Sequence, residues 1–141
     1  MSVTSLLIPL FLQVALTFAL MSWMWSHRVE AIKSGQVTFT DVSLREPVWP
    51  KRATQIGNCF QNQLETPMLF YVVIALALIT RTTGVVFVTL AWVFVMARLV
   101  HAYIHTGTNN VRMRFYAMLT GVIILAAMWV IFAIRILFGW P

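Results

Sequence analysis

Two rows of polar side chains set in apolar surroundings carry the chemistry this sequence can offer. In residues 51–71, KRATQIGNCFQNQLETPMLFY, the side chains Gln55, Asn58, Asn62 and Glu65 recur at i, i+3, i+7 and i+10. On a helix that spacing puts all four on one face, with Gln61 beside them. A second row, Arg98, His101 and His105, recurs at i, i+3 and i+7. Arg52, Arg112 and Arg114 add cations, and Tyr103 and Tyr116 lie nearby in the chain. Arginine clamps a carboxylate bidentately, a carboxylate holds an ammonium group, and amides pair with peptide groups. Brought together, such a set suits a flexible, zwitterionic, net-anionic small molecule, and an adjoining cleft open to lipid would admit an apolar second substrate.

The elements that must position these groups are membrane spans. The chain has 141 residues, 60% of them hydrophobic and 10% charged, with a mean hydropathy of +0.84. A water-soluble domain of this size could not cover so much apolar surface. The pattern predicts an all-α integral membrane protein, a four-helix bundle forming one domain over residues 1–141. The spans are expected at about 5–25, 52–80, 85–105 and 115–137, joined first by a polar connection over 26–51. That connection holds Arg28, Glu30, Lys33, Asp41, Arg45 and Glu46, and Pro47 and Pro50 delay the second span until after them. Pro67 falls inside the second span. Residues 81–84 make a turn so short that spans two and three are antiparallel neighbours. The first span lacks the basic leader and small-residue cleavage site of a signal peptide and reads as a retained helix.

A bilayer crossing takes about 20 residues, so the second span must reach back to about Gln61 and include Glu65. An ionisable residue at that depth is a functional-site hypothesis with a partner to be found. Lys and Arg concentrate in the first and third connections, which predicts those connections to be cytoplasmic and both termini outside. The start of span two, the end of span three and the start of span four then share one membrane face.

Several chemistries find no support. There is no nucleotide-binding glycine pattern and no nucleophile elbow. His101 and His105 stand at i, i+4 without an HExxH pattern, so no metal is expected. Cys59 is the sole cysteine, which excludes an intrachain disulfide. The net charge of +6 is spread over helix ends rather than clustered, so nucleic acid is not an expected partner. Plainer roles stand beside the functional ones. Glu65 and Arg98 could form an interhelical ion pair, Asn58 and Asn62 could bond helix to helix, and Arg112 and Arg114 could serve as interfacial anchors. A proton-linked exporter built on Glu65 fits less well, because such sites lie near the midplane.

With its Asn58-Cys59 and Asn62-Gln63-Leu64-Glu65-Thr66-Pro67 blocks, and Arg98-Leu99-Val100-His101 running through His105 to Arg112, Arg114 and Tyr116, the chain resembles the MAPEG family. These are the membrane-associated proteins of eicosanoid and glutathione metabolism, and the NQLETPMLFY run is similar to the family's bacterial branch. The resemblance implies a homotrimer in the bacterial inner membrane, with glutathione as co-substrate bound between subunits near the cytoplasmic face. It implies a glutathione-dependent transferase or peroxidase acting on lipophilic electrophiles or lipid hydroperoxides, with membrane lipid around it. Asn62 and Glu65 would match the family's Asn-x-x-Glu pair, Arg98, His101 and His105 its span-three ladder, and Arg114 or Arg112 the arginine that stabilises the thiolate. Asn58 and Arg52 join the expected glutathione-binding set. Asn58 stands where several eukaryotic members carry arginine, and His105 where tyrosine is common. The alternative within the same fold is a non-catalytic lipid-binding or scaffold protein.

Overall fold

A computed structural model describes residues 3–44, 48–82 and 84–139; Arg45, Glu46, Pro47 and Thr83 lie outside the described residues. The described chain is helical, with four helices long and apolar enough to cross a membrane. They are α1 (Val3–Lys33), α2 (Lys51–Ile79), α3 (Val85–Thr106) and α4 (Val111–Phe138). The protein is an all-α, multi-pass integral membrane protein.

Local chemistry sets the helix ends. At about 1.5 Å per residue, the 31 residues of α1 outrun a hydrocarbon core of about 30 Å. Its aromatic and charged turns from Trp25 to Lys33 are the end suited to an interfacial layer. α1 stops at Gly35, whose φ of 72° is open to glycine without strain. There the Gly35 N–H bonds the Ile32 carbonyl and the Gln36 N–H the Ala31 carbonyl, each at 3.0 Å, the paired closure of a Schellman motif. In the connection a 3-10 turn, Asp41–Leu44, follows. α2 starts directly after Pro50 and runs through Pro67 without interruption. Asn110 caps α4, its side chain accepting from the N–H groups of Arg112 and Met113. At the far end Arg135 Nη1 donates to the Thr82 carbonyl at 3.2 Å and ties α4 to the turn between α2 and α3.

α2 and α3 form the middle of the bundle. α1 packs on both, α4 packs on both, and among the described residues α1 and α4 do not meet. The half of the bundle near the α2–α3 turn is closed by an apolar cluster that includes Leu6, Phe70, Ile74, Phe87, Phe94 and Met128. Phe70 and Phe94 stack with centroids 4.5 Å apart. Burial of such side chains contributes about 1.5–3 kcal/mol each against water, but lipid is equally apolar. Within a membrane the specificity comes from close packing and interhelical hydrogen bonds. The polar groups gather toward the other half. There Gln13, Gln63, Arg98, His101 and His105 are all buried.

Candidate functional site

The last carbonyls of a helix have no partner within it, and at the end of α3 they are met by α2. Gln55 Nε2 donates to the His105 carbonyl at 2.7 Å, and Arg52 Nη1 donates to the Thr106 carbonyl. A cation at a helix C-terminus also complements its dipole. The Arg52 guanidinium lies 5.0 Å from the centre of the Trp23 ring on α1, so this residue pins three helices together at the connection end.

One turn deeper the rows on α2 and α3 interlock. Asn62 Nδ2 is 3.5 Å from His105 Nδ1, and Cys59 Sγ is 4.0 Å from the Ala102 carbonyl. His101 and His105 pack edge to face with centroids 5.5 Å apart. Arg98 is fully buried. Its Nη2 donates to the Asn62 carbonyl at 2.7 Å, and its Nη1 points at Met118 Sδ of α4 at 2.8 Å. Gly121 of α4 lies against this arginine, where a Cβ would make an ordinary contact, 3.7 Å from Arg98 Cδ. Glu65 is not its partner. Among the described residues the one side-chain ion pair within 4.0 Å is His27–Glu30, at 3.8 Å.

Arg112 and Arg114, indistinguishable by sequence, differ in placement. Arg112 is exposed, whereas Arg114 is half-buried and donates to Asn109 Oδ1 at 2.8 Å. Arg114 also lies near enough to act electrostatically on Cys59, His101 and His105. Buried Arg98 of α3 and half-buried Arg114 of α4 thus both lie within electrostatic reach of His101 and His105.

The other side of the α2 row points elsewhere. Asn58, Gln61 and Glu65 are exposed on the outer surface of the single chain, while Asn62 is half-buried between them and α3. Thus Arg98, Asn62, His101 and His105 are brought together, Arg52 is engaged at the α3 terminus, and Asn58 and Glu65 face outward. Among the described residues no group of three His, Cys, Asp or Glu side chains is placed to hold a metal.

Two further contributors escape a reading based on helical spacing. Met118 touches both Arg98 and Thr66 Oγ1, the latter at 4.0 Å, but as a methionine in an apolar span it carries no polar signal. Gln13, an amide within the apolar α1, does carry one. Its Nε2 donates to Gln63 Oε1 at 3.0 Å, and Gln63 Nε2 donates to the Cys59 carbonyl at 3.3 Å.

Four membrane-length helices joined toward one end by a buried arginine, two imidazoles and two glutamine amides define the class of protein as a polytopic helical membrane protein with a polar layer in its bundle. The chain belongs to the MAPEG family, whose model matches residues 6–134. Comparison with curated proteins and with solved structures gave no match. Family membership associates the protein with the membrane-bound, glutathione-related transferase and peroxidase group.

Proposed function

We propose that the protein is a glutathione-dependent transferase or peroxidase in which a bound thiol is activated beside Arg114 and reacts with a lipophilic electrophile or lipid hydroperoxide. The observation that carries this reading is the outward face of α2. Glu65 stands fourteen positions before Ile79, about 21 Å at about 1.5 Å per residue, inside a hydrocarbon core of about 30 Å. An ionised side chain facing lipid there costs about 3 kcal/mol or more. A second copy of the chain, in a homotrimer, would cover Glu65, Asn58 and Gln61 and enclose a ligand between subunits.

In this reading Glu65 holds the ammonium group of glutathione, Asn62 and Asn58 pair with its peptide groups, Arg52 and the buried charge of Arg98 attract its carboxylates, and the imidazoles of His101 and His105 stand behind Asn62 as hydrogen-bonding groups. Arg112 is the other cation at the rim, whereas Arg114, the half-buried one of the two, stabilises the thiolate. A free thiol has a pKa of about 8.5, and a nearby cation raises the thiolate population at neutral pH. The electrophile reaches the sulfur from the bilayer. The whole chain acts as one domain, with the first and third connections cytoplasmic in a bacterial inner membrane, in keeping with their basic residues.

Calorimetric titration of the purified protein with glutathione tests the binding set. Glu65→Gln and Asn62→Ala are each expected to weaken binding about tenfold, the loss of one charge-assisted or buried hydrogen bond. Unchanged affinity in both variants, with the protein folded, would overturn the assignment. Absence of any glutathione binding in the wild type would favour the lipid-binding scaffold.

A further inference from the structure

The connection end of α1 carries a cavity that the thiol site does not use. About 550 Å³ in volume, it is lined by Trp25, Val29 and Ile32 from α1 and by Phe39, Val42 and Trp49 from the connection, with Arg28 and Lys33 as its cations. Ligand pockets run from about 300 to 1,000 Å³. Its wall is almost wholly apolar, yet no described acid lines it. Glu30, on the same helix, faces His27 instead.

Arg28 is fixed in place. Its guanidinium carbon lies 4.8 Å from the centre of the Trp49 ring, and on the other side it approaches α2 at Gly57, where a Cβ would stand 3.4 Å from Nη2. Among the described residues its buried Nε has no hydrogen-bond partner, and no carboxylate lies within 4.0 Å of the guanidinium. A half-buried cation with no anion beside it among the described residues has room for one, because guanidinium donors are stabilised by bidentate acceptors such as phosphate.

Depth supplies the second argument. α1 outruns the hydrocarbon core, so Arg28 and Lys33 stand where lipid headgroups lie, with the apolar wall opening beside them. Basic pockets at this level bind anionic headgroups.

We propose that this cavity is a site for an anionic phospholipid of the surrounding leaflet, its phosphate on Arg28 and Lys33 and part of one acyl chain against Trp25, Ile32 and Phe39. The site stands apart from the thiol reading and does not depend on it. The lipid would join the connection to α1.

Native mass spectrometry of the full-length protein, released from bilayers of equal phosphatidylglycerol and phosphatidylcholine with matched chains, tests this. Wild type is expected to retain phosphatidylglycerol about tenfold over phosphatidylcholine, the discrimination worth about one charge-assisted hydrogen bond. Arg28→Gln should bring the ratio close to one, and Val29→Trp, which fills the cavity, should lower retention of phosphatidylglycerol. Arg81→Gln, at the opposite end of the bundle, should leave the ratio unchanged. If Arg28→Gln does not fold, Lys33→Gln and Val29→Trp carry the test. A wild-type ratio in the folded pocket variants, equal retention of both lipids by wild type, or displacement of phosphatidylglycerol by equimolar oleate would each overturn the proposal.

Discussion

Arg98 of α3 binds the backbone of α2 at Asn62, its Nη2 lying 2.7 Å from the carbonyl oxygen, while the Asn62 side chain approaches His105 one helical turn farther along the bundle. The arginine thereby fixes the rotation and depth of α2 relative to α3. An amide proposed to hold ligand is thus oriented from both its main chain and its side chain.

Replacing this arginine is expected to damage the fold before it damages any reaction. Arg98→Leu removes the donor to a buried carbonyl and should lower stability by about 3 kcal/mol. Arg98→Lys should also destabilise, since an ammonium cannot span the Asn62 carbonyl and Met118 as the planar fork does. Thermal unfolding in detergent measures both. A lysine variant as stable as wild type would show that position, not geometry, is what matters.

The Gln13–Gln63 bond makes a prediction about coupling. Gln63→Leu strands the buried Nε2 of Gln13 and should cost about 1–3 kcal/mol, whereas the double change to leucine removes both amides together. A double-mutant cycle should therefore give a coupling of about 1 kcal/mol, within the range for hydrogen bonds between membrane helices. Additive effects would mean that the amides act independently.

Much of this architecture follows from the order of residues. The four membrane helices are written in the hydropathy, and the shared face of Asn58, Asn62 and Glu65 in their spacing. Spacing assigns an angle on one helix, however, and does not say which neighbour that angle meets. For that reason Arg98 and Glu65 could be supposed to pair, although Arg98 finds a carbonyl and a sulfur and Glu65 turns outward. The choice between Arg112 and Arg114 was equally open, since spacing does not say that the first is exposed and the second half-buried. Met118 gave no polar signal at all.

Outside the membrane, Asp41 is a local acid-sensitive clasp. Its Oδ2 accepts from the Thr38 hydroxyl at 2.6 Å and from the Thr38 N–H at 2.8 Å, and these bonds hold its pKa below the ordinary aspartate value. A depressed folded-state pKa gives a contribution that is complete above the unfolded value and is lost as the pH falls through the folded one. Hydrogen-exchange protection of Thr38 should thus persist through mildly acid pH and fall below the usual carboxylate range. Asp41→Ala should show low protection at neutral pH. Protection in the wild type that does not change on full acidification would refute the clasp.

Arg114 and Arg112 are expected to separate in kinetics. Arg114→Ala should lower turnover about 100-fold, as removal of one preorganised charge-stabilising donor does, with glutathione affinity changed by no more than about threefold. Arg112→Ala should have a much smaller effect on turnover, because its side chain is exposed. Conjugation assays with a lipophilic electrophile give both constants. Equal losses in the two variants would remove Arg114 from its assigned role.

The most direct measurement is the ultraviolet thiolate difference absorbance of the purified protein titrated with glutathione across pH, in wild type and in Arg114→Ala. The account predicts a thiolate signal well below the free thiol pKa of about 8.5, present in wild type and abolished by Arg114→Ala. No such signal from a folded wild-type protein that binds glutathione, or one that survives the substitution undiminished, would contradict activation of the thiol by Arg114.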